Sequence, residues 1–554
     1  MKLTNLTLQN FKAIGDEPQT IAFKPITLLY GPNSAGKSSI LQSLMYLLEI
    51  LQSGNCNPGT LKRLAERNLG GFFSLVNDHD LYKSIVIRIG FEYGSSIVSE
   101  YSTFAEWVDN GELKLLLKDI AGETRHAEVE LTITWSHTLE TAYVEAYQVW
   151  LNGEFIGSMH ASADSKAQEI TKLNFAHPLL IPYDYDDWAE SEFGEDKSDL
   201  EPGDTEFKDR LLALNPNRAV SSSSNAISDD NHDMPPIAFY GFAGALPLLG
   251  KPLITNLEGR DVEESRDHFD REIITTALTQ VFVSPLDHLE KLLEESIYIG
   301  PLREVPSRNF IPNTSPRPER WINGLAAWDM LYRIEEEKLT QVSKWFYDED
   351  KLDAGYEVVR ETFRQLPVDS PLYIALSQMR EELDDSVWVQ EQLETMPEKT
   401  RLVFKDLKKG LDLSPEDLGV GISQVLPIVV AALVKRRGLI AVEQPELHIH
   451  PSFQVELGSL FIQAARGNEG DGPCFLLETH SEYLMLRFLR RLFDTSEDEL
   501  APGEIPLIPK DISVCYVDAG DKSLTLHALR LDDKGEFLDP WPKGFFPERT
   551  KELF

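Results

Sequence analysis

Gly31 to Ser39 read GPNSAGKSS, between an apolar strand-like run, PITLLY, and a long apolar helical pattern. The glycines Gly31 and Gly36 allow backbone N–H groups to wrap a phosphate, and the following helix directs its positive end toward the anion. Lys37 is expected to reach the β- and γ-phosphates, and the Ser38 hydroxyl to bind magnesium. The stretch therefore predicts a loop that binds ATP and Mg²⁺. The remaining predicted phosphate contacts come from Asn33, Ser34 and Ser39.

The residues that should complete this site lie near the other end of the 554-residue chain. An apolar run, LIAV, ends at Glu443, which we expect to hold the magnesium through a water molecule. His480 follows a second apolar run, FLLET. A histidine alone is more often structural, but the position at a strand end favours a residue that senses the γ-phosphate. One ATP site is therefore predicted to form from both ends of the chain, around a large insertion.

A glycine-rich loop, LGVGISQ, opens a helix at Leu418 to Gln424. Together with GPNSAGKSS, LIAVEQPELHIHP and ETHSEYL, this loop resembles the ABC-type ATPases that include RecF-like and overcoming-lysogenization-defect (OLD) proteins. The resemblance implies that two subunits close around ATP, so that the loop of one caps the γ-phosphate held by the other. It implies a homodimer or higher oligomer, with Gly419, Gly421 and Ser423 making this contact.

The order of strand and helix patterns predicts an α/β fold. Buried strands that end in functional residues favour a parallel sheet, and the alternating segments IVIRIGFEY, VELTITW and AYVEAYQVWLNG favour an antiparallel lobe. The resemblance implies an ABC-type P-loop ATPase head with a parallel sheet core and an antiparallel β lobe, interrupted by a large, mainly helical insertion. The predicted divisions are the first half of the head with its β lobe (1–180), an acidic and Ser/Asn/Pro-rich flexible insertion (181–236), a mainly helical insertion domain (237–400), the second half of the head (401–530) and a tail (531–554).

One departure from the ABC pattern concerns the hydrolytic step. The residue after the magnesium carboxylate, where that pattern has a catalytic glutamate, is Gln444. An amide orients water but cannot accept its proton near neutral pH. Slow hydrolysis is therefore predicted, with ATP acting as a clamp more than as a fuel. Glu446 is the nearby replacement for the catalytic base, and a structural turn carboxylate is the alternative interpretation.

Two further features have open interpretations. His448 and His450 have the H-x-H spacing of metal ligands, but in the resembling families this segment packs against the other subunit, and we favour that role. Arg303, in YIGPLREVPSR, is suited to reach phosphate or the opposing subunit. An ordinary surface salt bridge is the alternative for Arg303.

The net charge of −38 bears on the partners. Binding nucleic acid depends on Lys and Arg that displace counterions, so weak or no direct DNA binding is expected of this chain alone. No run approaches the roughly 20 apolar residues that span a bilayer, and the N-terminus lacks the apolar core of a signal peptide. A cytoplasmic protein without a membrane partner is predicted. The three widely spaced cysteines favour reduced structural thiols.

The end of the chain refines the resemblance. GEFLDPWPKGFF, Gly535 to Phe546, resembles the C-terminal element of ATPase subunits of Septu-type anti-phage systems, including versions attached to retrons. This implies an ATPase that controls a separate HNH endonuclease, with a retron reverse transcriptase and an RNA–DNA hybrid as further partners. No Toprim-type D-x-D or HNH cluster is evident, so no intrinsic nuclease is expected. A RecF-like DNA repair or recombination ATPase is the alternative, and a transport-type ATPase subunit is a third hypothesis.

Overall fold

The structure is a computed structural model that describes residues 1–33, 35–61, 67–94, 101, 119–164, 167–181, 203, 205–217, 233–257, 265–308, 310–315, 317–379, 385–466, 472–520 and 523–542. The strands, in chain order, are β1 Lys2–Gln9, β2 Gln19–Ala22, β3 Ile26–Tyr30, β4 Thr60–Leu61, β5 Arg67–Asn68, β6 Ile85–Glu92, β7 His126–Ser136, β8 Thr141–Leu151, β9 Glu154–Ala161, β10 Gln168–Leu173, β11 Asp233–Ala238, β12 Gly241–Ala243, β13 Leu246–Pro247, β14 Ile297–Ile299, β15 Tyr356–Arg364, β16 Glu398–Asp406, β17 Leu411–Leu413, β18 Leu439–Glu443, β19 Cys474–Glu478, β20 Ile512–Ala519 and β21 Leu524–Leu529. The α-helices are α1 Lys37–Ser53, α2 Gly71–Leu75, α3 Ile120–Glu123, α4 Glu206–Leu214, α5 Ser265–Phe282, α6 Ser284–Glu294, α7 Leu325–Leu331, α8 Glu336–Tyr347, α9 Pro371–Gln378, α10 Ser386–Glu394, α11 Val420–Val434, α12 Pro451–Arg466 and α13 Glu482–Ser496.

The central sheet has the strand order β14-β18-β19-β3-β20-β21, parallel except where β21 pairs antiparallel with β20. Every residue of β3, β18 and β19 is buried. Continuous apolar runs of this kind suit parallel strands whose two faces are both covered by other elements. The carboxyl ends of β3, β18 and β19 therefore lie along one edge of the sheet, where ligands bind in open α/β sheets.

An eight-stranded antiparallel sheet forms the second layer, in the order β11-β10-β9-β8-β7-β6-β1-β2. Buried and part-exposed residues alternate along β7, because one face of the sheet packs on the core and the other faces outward. The buried face shares one apolar cluster with α1 and α6. The predicted fold class, an α/β ATPase head with a parallel core, an antiparallel lobe and a helical region, is confirmed.

The predicted mainly helical insertion (237–400) differs in part from the structure. It contains α5 to α10, but β14 within it is the edge strand of the central sheet, parallel to β18. The range also contains β15, which pairs with β16 in a separate three-stranded sheet, and the predicted boundary at residue 400 falls inside β16. Short strands of three to nine residues show little periodicity of their own, and only their distant partners establish them.

Several predicted features lie wholly or partly outside the described residues, including most of the acidic and Ser-rich insertion and the last residues of GEFLDPWPKGFF. The described part of that closing segment packs Trp541 edge-on against Tyr30, with ring centroids 5.6 Å apart. The three cysteines are free and buried. Among the described helices, none is both long and apolar enough to cross a membrane.

Candidate nucleotide site

The phosphate loop leaves β3 at Gly31 and enters α1 after Gly36. Both glycines have positive φ, 147° and 95°. A Cβ on Gly31 would lie 2.3 Å from the backbone oxygen of Val517, so only glycine fits this turn. The Lys37 side chain folds back under the loop, where its Nζ donates to the carbonyls of Gly31 (3.0 Å) and Pro32 (2.9 Å). The loop thus closes around its own lysine, with the first N–H groups of α1 near it.

Ser38 donates its hydroxyl hydrogen to Oε2 of Glu478, at 3.0 Å. The other oxygen of that carboxylate lies 3.9 Å from Nζ of Lys37. Glu478 is the last residue of β19, and its Cα partner across the sheet is Glu443, the last residue of β18. Two carboxylates therefore stand side by side at the carboxyl ends of neighbouring strands, against the phosphate loop.

The two carboxylates of Glu443 and Glu478 carry more negative charge than the neighbouring Lys37 can neutralise. Burial, with the neighbouring charge of Glu443, raises the pKa of Glu478 to about 7, although Lys37 and the Ser38 hydrogen bond act in the opposite direction. Burial also lowers the pKa of Lys37, against the attraction of Glu478. Oε1 of Glu443 is buried and has no hydrogen-bond partner among the described residues. A divalent cation would satisfy this oxygen, so Ser38 and the carboxylates fit Mg²⁺, which takes its other ligands from phosphates and water.

The Glu446 carboxylate contacts the residues that follow β19, Thr479 and His480. Oε2 of Glu446 accepts from the Thr479 hydroxyl and Oε1 from the backbone N–H of His480, both at 2.7 Å. Burial raises the pKa of Glu446. These bonds engage both oxygens in holding the end of β19, and they favour the structural interpretation of this carboxylate.

The imidazole of His480 is neutral at physiological pH. Burial, and then the charge of Lys37, lowers its pKa to about 4. Nε2 of His480 is buried without a hydrogen-bond partner among the described residues. A neutral imidazole can present an N–H donor at one nitrogen, so His480 is suited to donate to a phosphate oxygen.

Gln444 follows Glu443 with a positive φ of 45°. Its backbone N–H donates to the carbonyl of Glu478, at 2.7 Å. Arg303 holds the same turn from the other side, because its Nη2 donates to the carbonyls of Glu443 (2.8 Å) and Gln444 (3.2 Å). Arg303 is only 4% exposed, so the alternative interpretation of this residue as part of a surface salt bridge is wrong. The guanidinium bonds to backbone carbonyls of its own chain.

The same arginine contacts the helix that follows the glycine-rich loop. The Gln424 side chain of α11 donates to the carbonyl of Arg303 at 2.6 Å and accepts from its N–H at 3.3 Å. Nη1 of Arg303 donates to the Gln424 carbonyl, also at 3.3 Å. Arg303 therefore joins the start of α11 to the end of β18 within one subunit.

The glycine-rich loop presents its first residues outward. Gly419 is the N-cap of α11 and is exposed, and a Cβ built on it would meet nothing within 4 Å. Gly421 is more enclosed, with the His448 carbonyl 3.3 Å from such a Cβ. Ser423 is buried and donates its hydroxyl to the carbonyl of Val420 at 2.9 Å. Of the three residues, Gly419 is therefore the most accessible to another subunit.

The remaining predicted residues are spread around this edge. Asn33 is exposed and Ser39 is buried in the first turn of α1, whereas Ser34 lies outside the described residues. His448 and His450 are both exposed, and Nδ1 of His450 lies 2.7 Å from the hydroxyl of Ser452. In the described parts of the chain, no group of three or more His, Cys, Asp or Glu side chains could hold a metal ion. A Mg²⁺ ion at this edge would therefore take most of its ligands from a nucleotide and from water.

Two contributors were not predicted from the sequence as site residues. Glu478 ends the apolar run CFLLE as Glu443 ends LIAVE, so the same pattern could have identified it. Gln424 stands in a helix where a buried amide has no distinctive spacing. Its role becomes visible only through its bonds to Arg303.

Two family comparisons match different parts of the chain. Residues 1–198 are similar to the family described as "AAA ATPase domain". Residues 265–486 are similar to the family described as "AAA domain, putative AbiEii toxin, Type IV TA system". The first match contains the phosphate loop, and the second contains β18, β19 and the glycine-rich loop. Both support an ATPase of the AAA type.

Solved structures similar to this chain include Smc head domains. One is bound to the C-winged helix domain of ScpA, with 11% identity, 96% of this chain and 98% of that chain covered, and a TM-score of 0.36. The SMC head domain from Thermotoga maritima has 9% identity, 96% and 100% coverage, and a TM-score of 0.35. A Smc head with an extended coiled coil from Pyrococcus furiosus, bound to the C-terminal domain of ScpA, has 12% identity, 100% and 98% coverage, and a TM-score of 0.36. No curated protein matched the chain.

Proposed function

We propose that this chain binds ATP with Mg²⁺ at the Gly31–Ser39 loop and hydrolyses it slowly. The observation that carries the proposal is the convergence of Lys37 and Ser38 with two carboxylates at one sheet edge. The AAA ATPase matches at both ends of the chain agree with it. In this proposal the loop N–H groups and Lys37 hold the phosphates, with further contacts from Asn33, Ser34, Gly36 and Ser39.

The cation would be held by Ser38 and, through water, by Glu443. When bound, Mg²⁺ neutralises negative charge that develops on the phosphate oxygens. Nε2 of His480, neutral and without a partner among the described residues, donates to the γ-phosphate. Gln444 orients the attacking water but cannot take its proton. Both oxygens of Glu446 bind the end of β19, so we propose that this residue is structural and that turnover is slow because of Gln444.

The second part of the proposal is that two subunits close around ATP. Gly419 is exposed at the start of α11, and Val420 beside it exposes 60% of its surface. An accessible helix N-terminus suits contact with an anion presented by another copy. In this arrangement Gly419 and Gly421 approach the γ-phosphate of the partner subunit, and the buried Ser423 supports the loop from behind.

In the cell, we propose that this ATP-gated dimer belongs to a bacterial anti-phage complex and controls a separate HNH-type endonuclease. The net charge of −38 supports docking of a basic protein over direct DNA binding. The description of one matching family also names a toxin. A retron reverse transcriptase and RNA–DNA hybrid are additional proposed partners. The second candidate is a RecF-like repair ATPase, which predicts ATP-stimulated, salt-sensitive DNA binding.

Nucleotide binding and hydrolysis by the purified chain test the core of this proposal. Wild type should bind ATP in the presence of Mg²⁺ and shift toward a dimer in light scattering, whereas Lys37→Ala should lose both. Glu140→Gln is the matched control, since Glu140 is exposed in the turn between β7 and β8. Absence of ATP binding by wild type would refute the proposal. ATP-stimulated duplex DNA binding in place of nuclease association would favour the RecF-like candidate.

A further inference from the structure

We propose that Glu478 is a positioning residue for the Mg²⁺ of the ATP site: its carboxylate orients the Ser38 hydroxyl and supplies the second negative charge beside Glu443. The inference rests on the proposed ATP-binding function and deepens it. It assigns a role to a residue that the sequence patterns did not single out. Two carboxylates, Glu443 at the end of β18 and Glu478 at the end of β19, would then act on the magnesium ion, where the sequence predicted Glu443 alone.

The strand order places Glu478 closer to the phosphate loop than Glu443. β19 lies between β18 and β3, and Glu478 is the Cα partner both of Glu443 on β18 and of Leu29 on β3. Since neighbouring strands are about 4.8 Å apart, Glu443 is one strand further from the loop. Accordingly, the carboxylate that reaches the Ser38 hydroxyl is that of Glu478, at 3.0 Å.

This hydrogen bond determines which part of the serine faces a cation. A hydroxyl has one hydrogen to donate and two lone pairs. When the hydrogen points to Oε2 of Glu478, the lone pairs of Ser38 are left for a metal ion. Carboxylates that accept from a metal ligand in this way orient it and raise its affinity, and their removal typically costs about 10- to 100-fold in metal binding.

The charge balance of the site supports the same role. Glu478 is 7% exposed and Glu443 is 6% exposed, and the two residues are Cα partners at the ends of neighbouring strands. Lys37 is the neighbouring cation, but its Nζ is also bonded to two loop carbonyls. A divalent cation beside the two carboxylates would offset their repulsion, because bound cations are the largest local charges in such sites.

The test measures Mg²⁺ dependence separately from nucleotide affinity. Binding of a fluorescent ATP analogue is followed in EDTA and during titration with Mg²⁺, for wild type, Glu478→Gln and the Glu140→Gln control. The variant Glu478→Gln should need about 10- to 100-fold more Mg²⁺ than wild type for half-maximal enhancement, a loss larger than any change in its affinity for the analogue in EDTA. Glu478→Asp keeps the charge and should recover part of the Mg²⁺ response.

Three other outcomes would overturn either the positioning role of Glu478 or the proposed function. An unchanged Mg²⁺ midpoint in Glu478→Gln overturns the positioning role while leaving the proposed function intact. Equal weakening in EDTA and in Mg²⁺, with a lower melting temperature of the ligand-free variant, also overturns it, because that pattern marks a structural residue. Wild type that binds no nucleotide under either condition would overturn the proposed function itself.

Discussion

The raised pKa of Glu478 makes a quantitative prediction about the ligand-free protein. A carboxyl group whose pKa is about 7 when folded and 4.5 ordinarily holds its proton longer in the folded state. Its contribution to stability is therefore complete below about pH 4.5 and is lost as the pH rises to about 7. One pKa unit corresponds to about 1.4 kcal/mol. Between about pH 5.5 and about pH 8, wild type should lose about 2 kcal/mol through this group.

The assay is urea unfolding in EDTA without nucleotide, at those two pH values. Glu478→Gln has no proton to lose, so its free energy of unfolding relative to wild type should rise by about 2 kcal/mol from the lower to the higher pH. Titrations of groups that do not interact with Glu478 are common to both proteins and cancel in this difference. Glu140→Gln should follow wild type at both values. Parallel behaviour of wild type and Glu478→Gln would refute the reasoning, since it would mean that Glu478 is already ionised at the lower pH.

Two further predictions concern the phosphate loop and the turn at Glu443 and Gln444. Gly31→Ala places a methyl group 2.3 Å from the carbonyl oxygen of Val517. We therefore expect at least about tenfold weaker ATP binding and a free energy of unfolding lower by about 1–3 kcal/mol. In the control Gly59→Ala the added methyl group meets nothing within 4 Å, so its ATP affinity and melting temperature should stay near wild type. Arg303→Lys keeps the charge but cannot make the forked contact with three backbone carbonyls. We expect kcat to fall about 10- to 100-fold with little change in KM, whereas Arg317→Lys, at an exposed arginine, should not change kcat. A kcat equal to wild type in Arg303→Lys would refute the view that Arg303 holds the Glu443–Gln444 turn in position for hydrolysis.

Much of the site was accessible from local patterns. GPNSAGKSS predicts a phosphate loop because each of its residues acts through its own backbone or through a helix that begins beside it. The run LIAVE predicts a buried strand that ends in a carboxylate, and β18 has these properties. The parallel core and the antiparallel lobe also follow from local patterns, since continuous burial and alternation are properties of single strands.

Other features depend on which distant segments become neighbours. Arg303 could not be placed from its sequence context, because its burial arises from contacts with residues more than a hundred positions away. The three residues of β14 carry too little pattern to predict an edge strand of the central sheet. The ranges 181–236 and 531–554 remain predictions for the most part, since much of each lies outside the described residues.

By itself, the sequence determined that this chain carries a phosphate loop and buried strands with acidic ends, because these depend on residues within a few positions of one another. Only the tertiary structure decided which acid reaches the loop. The order of strands in a sheet is established by pairing between distant segments, and no periodicity in β18 or β19 records which of them lies next to β3. That order brings Glu478 to the Ser38 hydroxyl and leaves Glu443 one strand away.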